Sequence, residues 1–427
     1  MKEEFLHFIW KFKYFNLSDL KLTNGESLEI IRSGSANQHA GPDFFDARLK
    51  IGNTKWAGNV EIHLKSSDWY RHQHENDPLY DQLILHVVWE DDRPVSRRDG
   101  SLIPTLILKG KVSRMMLEKY TEWKKNPKWV PCGKDLKAVS TVIKQQQIDR
   151  MLIARLEEKS RRIEEILALN QQDWEATLYH ILAKYFGFKV NAVPFELLTA
   201  STPFSLLRKY QSKPKQLTAL LFGQAGFLKA ACKGSYPMSL KKEYEFLKNK
   251  HNLQAMDASA WKFMRMRPAN FPTIRLAQFA ELYSRHIHLF QKLKESGKLA
   301  SLMELFQLET HSYWESHYRF DVPAARKTKK RLGKTSIELL MINAVIPVLF
   351  TYAAMHDKIE MKQKVLTYLQ QLPLEKNRLI RGWSKYKMPM ENAYDGQALI
   401  QLKNSLCDQK KCLNCGIGTQ LLKNAIS

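Results

Sequence analysis

The chain has 427 residues, enough for two or three domains with a substantial core. Its hydrophobic content of 44% and aromatic content of 11% exclude a disordered chain, and five cysteines at this length exclude a disulfide scaffold. The net charge of +24 is unevenly spread: residues 1–100 hold 13 Lys+Arg against 16 Asp+Glu, which leaves 54 basic and 27 acidic residues to the remainder. A slightly acidic start suits a cation site, and a strongly basic remainder suits a polyanion, so nucleic acid is the expected partner.

Residues 3–14 predict a helix, with Phe5, Phe8, Ile9, Phe12 and Phe15 at helical spacing as core or docking residues. The start lacks the apolar run of a secretory signal, so a cytoplasmic protein without a membrane span is expected. A strand follows over 28–33. Gly41-Pro42 signals a turn, and Asp43 opens the next extended run, 44–51. A hairpin turn at Gly52-Asn53 lets that run pair with Asn59-Val60-Glu61-Ile62-His63-Leu64-Lys65. The alternation there puts Val60, Ile62 and Leu64 on one face and Glu61, His63 and Lys65 on the other. Asp43 and Glu61 are thereby expected to converge, as two carboxylates around Mg²⁺ or Mn²⁺ do in phosphodiester hydrolysis. His63 or Lys65 would orient or activate the attacking water, and His39, in the loop before Asp43, could reach a phosphate or that water.

Six of the 13 histidines precede residue 87. A short helix over 69–74 puts Asp68 and His72 on one face, and His72 and His74 are read as surface residues or as ligands. His86 lies in an apolar strand, 83–89, and reads as a core histidine. A connector over 110–135 ends at Pro131-Cys132-Gly133 and marks a boundary. Beyond it the pattern is helical, from a long run over 143–170 to segments at 173–186, 215–228, 241–251 and 274–296, with no strand of convincing length and no fixed repeat.

Three arginines, Arg265, Arg267 and Arg275, lie among aromatics and prolines. They read equally as contacts to a nucleic-acid backbone or as helix caps at a structural corner. Residues 326–334 include six basic residues, a run that attracts phosphate or simply stays solvated. Gly333-Lys334-Thr335 is not a phosphate-binding loop, since residue 328 is Thr where that motif needs glycine. The apolar run 339–355 is interrupted by Asn343 and Pro347 and predicts a buried core helix. Near the end, Cys407, Cys412 and Cys415 have the x4 and x2 spacing that suits thiolate ligation of Zn²⁺ or an iron–sulfur cluster, with Cys132 as the expected fourth ligand. Cys232 reads as an ordinary helix residue.

Pro42-Asp43 followed by Glu61-Ile62-His63 on the next strand, with this order of helix and strands, resembles the PD-(D/E)XK nuclease superfamily over roughly the first 135 residues. That resemblance implies a restriction-endonuclease-like α/β domain over 1–135. The family places lysine where His63 stands, and Lys65 lies two residues further on. Some DNA-processing members pin the domain with an iron–sulfur cluster held by one distant and three clustered cysteines. The phrases Gly41-Pro42-Asp43-Phe44, Val60-Glu61-Ile62-His63, Phe222-Gly223-Gln224-Ala225-Gly226-Phe227 and Arg267-Pro268-Ala269-Asn270-Phe271-Pro272 also resemble an uncharacterised bacterial family, over nearly the full length.

The expected fold is α+β: a mixed-sheet domain over 1–135, then an all-α basic region over 136–427 ending in the cysteine cluster. The leading expectation is a metal-dependent nuclease. The alternatives are a nucleic-acid-binding protein with a degenerate nuclease fold, and a hydrolase using His39, His63, His72 and Glu61 around a transition metal. The oligomeric state is left open.

Overall fold

A computed structural model describes residues 1–37 and 39–425. The architecture is α+β, a mixed sheet followed by a mostly helical region. The chain forms two compact units. The first comprises Met1–Ile148 with Lys385–Pro389 and Leu402–Ser427; the second comprises Asp149–Ser384 with Met390–Gln401. The boundary expected at residue 135 thus falls near Ile148. The cysteine tail, assigned from the sequence to the 136–427 region, belongs to the first unit, which also carries Cys132.

The first unit opens with helix α1 (Glu3–Phe12), which buries Phe5, Leu6, Phe8, Ile9 and Trp10. Its sheet contains β1 (Leu28–Arg32), β2 (Ser35–Ala36), β3 (Phe44–Ile51), β4 (Thr54–Lys65), β5 (Leu83–Glu90) and β6 (Thr105–Ile107). The order is β1-β3-β4-β5-β6, with β2 paired to β3. The β1–β3 and β3–β4 pairs are antiparallel, while β4–β5 and β5–β6 are parallel. Ile51 opposes Thr54, so β3 and β4 join through a two-residue turn at Gly52-Asn53, where Gly52 takes the positive φ such a turn needs.

Register then places the polar residues. Phe44 opposes Val60, which seats Asp43 beside Glu61. Glu61 opposes His86 across the parallel β4–β5 pair, so Glu61, His63 and His86 share one side of the sheet. Val60 and Ile62 on the other side are fully buried. Glu61 and His63 are buried too, because β4 is a central strand covered on both faces. Helix α2 (Asp68–Arg71) follows β4, and a single 3₁₀ turn, His74–Asn76, follows it. Beneath them Trp69, Tyr80, Leu83, Val95 and Ile103 form an apolar cluster.

The second unit is helical apart from a small ribbon, His317–Arg319 with Val322–Pro323, too short to leave a periodic signal in the sequence. Helix Trp174–Phe186 starts on Asp173, whose carboxylate accepts from the Glu175 and Ala176 amides. The helical run Lys334–Met355 is long and apolar enough to cross a membrane, but 72% of its most apolar window is buried inside the protein. It packs as a core helix, with a π-turn at Met341–Val345 just before Pro347.

Candidate metal centre

Asp43 and Glu61 are locked together by two backbone hydrogen bonds. The Asp43 amide donates to Glu61 Oε2 at 3.0 Å, and the Ile62 amide donates to Asp43 Oδ2 at 3.0 Å. Each strand therefore aims the other's carboxylate. Burial raises the pKa of Glu61; the contact with His74 works against that rise, and the charge of Asp43 adds to it. With Glu61 buried and Asp43 close enough to raise its pKa, the pair favours a nearby positive charge.

Imidazoles crowd the same place. His63 Nε2 lies 3.5 Å from Glu61 Oε1, and His74 Nε2 lies 3.4 Å from the same oxygen. His72 Nδ1 lies 3.2 Å from His63 Nε2. His63, His72 and His74 offer ligand atoms that all lie within 4.8 Å of one another. The carboxylate contacts are long for charge-assisted hydrogen bonds, which run about 2.7–2.9 Å. They match the spacing of donors around one ion: ligands about 2.0–2.1 Å from a tetrahedral centre lie roughly 3.3 Å apart. His63, His72 and His74 thus have the donor types and the proximity to hold a divalent transition metal, with Glu61 Oε1 beside two of the three.

The protonation states agree. Burial drives the pKa of His63 down to about 2, helped by the neighbouring histidines, so its ring is neutral and carries a free lone pair. His86 is driven down to about 3, first by burial and then by His74. His63 Nδ1 and His86 Nε2 lie 2.8 Å apart and share one proton. If that proton is assigned to His63 Nδ1, Nε2 is left open on the side of Glu61 and His72. His86 is the buried core histidine expected from the sequence, and its bond helps to fix the His63 ring. Trp69 and Tyr80 wall the site: the Tyr80 ring stacks on His74 with centroids 4.0 Å apart, and Trp69 meets His74 and His86 edge-on or tilted.

At the rim, His7 of α1 places Nε2 3.2 Å from Asp43 Oδ2. Burial lowers its pKa, but hydrogen bonding and charge from Asp43 outweigh that and raise it overall. A half-buried imidazole whose affinity for a proton is raised by a neighbouring carboxylate can donate one or can face a phosphate.

The remaining candidates lie elsewhere. Lys65 is exposed where β4 ends, its amine close enough to Glu90 to help lower that carboxylate's pKa. Among the described residues it makes no hydrogen bond or ion pair with Asp43 or Glu61, so periodicity placed it on the right face but beyond the covered part of the strand. His39 is exposed in its loop, and its backbone bonds to Asn37. Arg265 and Arg267 are exposed. Arg275 is not: it is 4% exposed, stacks over Phe188 at 4.6 Å and bonds to Asn270, Gln278 and Ser336. Its place as a nucleic-acid contact is withdrawn, since its guanidinium is spent inside the second unit.

The family model described as "Protein of unknown function (DUF2851)" matches residues 3–378. The chain belongs to that family. In this DUF2851 member every residue of the histidine–carboxylate cluster falls within the matched span, while Cys407, Cys412 and Cys415 lie beyond it. No curated protein and no solved structure matches the chain significantly.

Proposed function

We propose that the first unit is a transition-metal-dependent hydrolase acting on the phosphodiester bonds of nucleic acid. One observation carries the reading: three metal-competent imidazoles lie within 4.8 Å of one another beside a carboxylate pair, on one side of a central strand. Glu61, His63, His72 and His74 would hold the ion. A divalent metal there supplies Lewis acidity and lowers the pKa of water. Asp43, fixed by the Ile62 amide, is placed to take a proton from water, and protonated His7 to neutralise charge on the phosphate or protonate a leaving oxygen. Imidazole donors favour Mn²⁺, Fe²⁺ or Zn²⁺ over Mg²⁺. The order α1, β1, β3, β4, α2, β5, with Asp43 and Glu61 on paired strands, also supports the nuclease reading, as does the basic charge after residue 100.

The test is cleavage of linear, circular and single-stranded DNA and RNA by the purified chain with Mg²⁺, Mn²⁺ or Zn²⁺. Cleavage with Mn²⁺ or Zn²⁺ exceeding that with Mg²⁺ is expected, and loss with a chelator. Binding without cleavage under every metal would favour a second reading, a non-catalytic nucleic-acid binder. The position of Lys65 away from the carboxylates speaks for that alternative.

Binding itself should be mainly electrostatic. Replacing Arg265 and Arg267 together by alanine is expected to weaken binding to all sequences alike and to reduce the slope of log K against log salt by roughly two, one per phosphate contact. Replacing Arg275 should instead destabilise the fold. Titrations of the double variant at several salt concentrations check this; an unchanged slope would remove these two side chains from the interface.

A further inference from the structure

The first unit holds a second group of metal-competent side chains, chemically unlike the first. Cys132 lies in the loop after helix α3 (Arg114–Lys125), and the other three cysteines arrive with the returning tail. Cys407 ends a π-turn, Leu402–Cys407; Cys412 opens a 3₁₀ turn, Cys412–Asn414; and Cys415 precedes helix Gly416–Lys423. None of the four is in a disulfide. Cys132, Cys412 and Cys415 are buried.

The tail is tied to the segment that carries Cys132. Lys410 Nζ donates to the Lys124 carbonyl at 2.7 Å, the Gly416 amide donates to Gln147 Oε1 at 2.7 Å, and Ser113 Oγ donates to the Ala425 carbonyl at 2.7 Å. Tyr386 packs on Gly133, where a Cβ would fall 2.5 Å from its ring, and stacks with Trp129. The Cys412–Cys415 turn is closed by the Cys415 amide donating to the Cys412 carbonyl at 3.2 Å. Gly418 must be glycine, since a Cβ there would sit 2.2 Å from that carbonyl oxygen. The backbone is thus shaped to bring Cys412 and Cys415 together.

The thiols lie within electrostatic range of one another. Burial raises Cys407, and Cys415, Cys132 and Cys412 raise it further; Cys132 is raised by burial and then by Cys415 and Cys412; Cys412 is pushed up to about 11, again by burial and then by Cys415. Two lysines, each paired with a carboxylate (Lys403 with Asp408, Lys124 with Glu4), act on them in the opposite direction. Lys403, itself buried and held over Trp129 at 4.9 Å, lowers Cys407, and Lys124 lowers Cys412. Buried cysteines often serve as small apolar core residues. That accounts less well for four of five that share the first unit, three of them within nine residues, while Cys232 lies apart in the second unit.

We propose that Cys132, Cys407, Cys412 and Cys415 form a tetrathiolate centre that binds a soft metal, as one Zn²⁺ or as an iron–sulfur cluster, and clasps the end of the chain to the first unit. The centre is separate from the histidine–carboxylate site and does not depend on its function. Metal is measured by elemental analysis on the full chain, purified anaerobically, alongside Cys407→Ser, Cys412→Ser and Cys232→Ser. The wild type is expected to exceed the Cys407→Ser and Cys412→Ser variants by about one Zn, or by about four Fe with a brown absorption band, per chain. Cys232→Ser should match the wild type. The variants keep the histidine site, so metal held there cancels in the difference. Should the two serine variants fail to fold, alkylation of the native wild type decides: Cys232 reacts at once, and the other four react only after strong chelation or destruction of a cluster. Equal metal in folded wild type and variants, or four thiols that alkylate without any metal removal, would overturn the proposal.

Discussion

Replacing Glu61 by glutamine is expected to lower hydrolysis on the order of a thousand-fold, the loss typical when a fixed charge stabilising a transition state is removed. Glutamine keeps the volume and can still accept the Asp43 amide, so the change isolates the charge. Metal affinity should fall as well, because Glu61 Oε1 lies within 3.5 Å of both His63 Nε2 and His74 Nε2. His72→Ala should behave similarly. Lys65→Ala and His39→Ala should change activity by less than about threefold, since both residues are exposed and make no bond to the carboxylate pair. The metal-free Glu61→Gln protein should also be more stable than the wild type by about 1 kcal/mol, because it no longer buries a carboxylate beside that of Asp43. Loss of activity with a gain in stability separates a functional site from a structural ion pair. Chemical denaturation with chelator present, run beside the activity assay, checks both. A Glu61→Gln protein that is active, or inactive only because it unfolds, would contradict the assignment.

The second large effect is acid lability. His63 and His86 are held near 2 and 3 in the folded chain, against 6.5 when unfolded. Above pH 6.5 neither state is protonated and their contribution is constant. Below it the unfolded chain takes up two protons that the folded chain refuses, so stability falls as pH falls. From pH 7 to 5 the cost is about 2 kcal/mol for each histidine. The raised pKa values of Glu61 and His7 act with the opposite sign, so the decisive quantity is a difference between proteins. With chelator present, wild type should lose about 2 kcal/mol more than His86→Phe between pH 7 and 5. Parallel stability curves for the two proteins would show that His86 is not held neutral.

Much of this site was legible in the sequence because short-range rules fix it. The alternation around Glu61 and the two-residue turn at Gly52-Asn53 set the β3–β4 register, and the register alone seats Asp43 against Glu61. Alternation does not say where the cover over a strand ends, which is why Lys65 shares the face but reaches solvent. His7, His74 and His86 come from three other elements, and only the assembled fold brings His74 and His86 to His63 and His7 to Asp43. The one signal in the sequence was the crowding of histidines before residue 87. Arg275 failed for a different reason. An arginine among aromatics reads the same whether the rings face a ligand or, like Phe188, the interior. The x4 and x2 spacing of the tail cysteines was local and readable, and the expected partnership with Cys132 already pointed the tail to the first unit.

The central claim is that Glu61, His63, His72 and His74 hold one transition-metal ion. It is tested most directly by an anomalous-difference map from crystals of the wild-type protein grown with Mn²⁺ and measured at an energy where manganese scatters anomalously. The account predicts a single peak bounded by Glu61 Oε1, His63 Nε2, His72 Nδ1 and His74 Nε2. A map with no peak there at saturating Mn²⁺, or with a peak held by Asp43 alone, would contradict it.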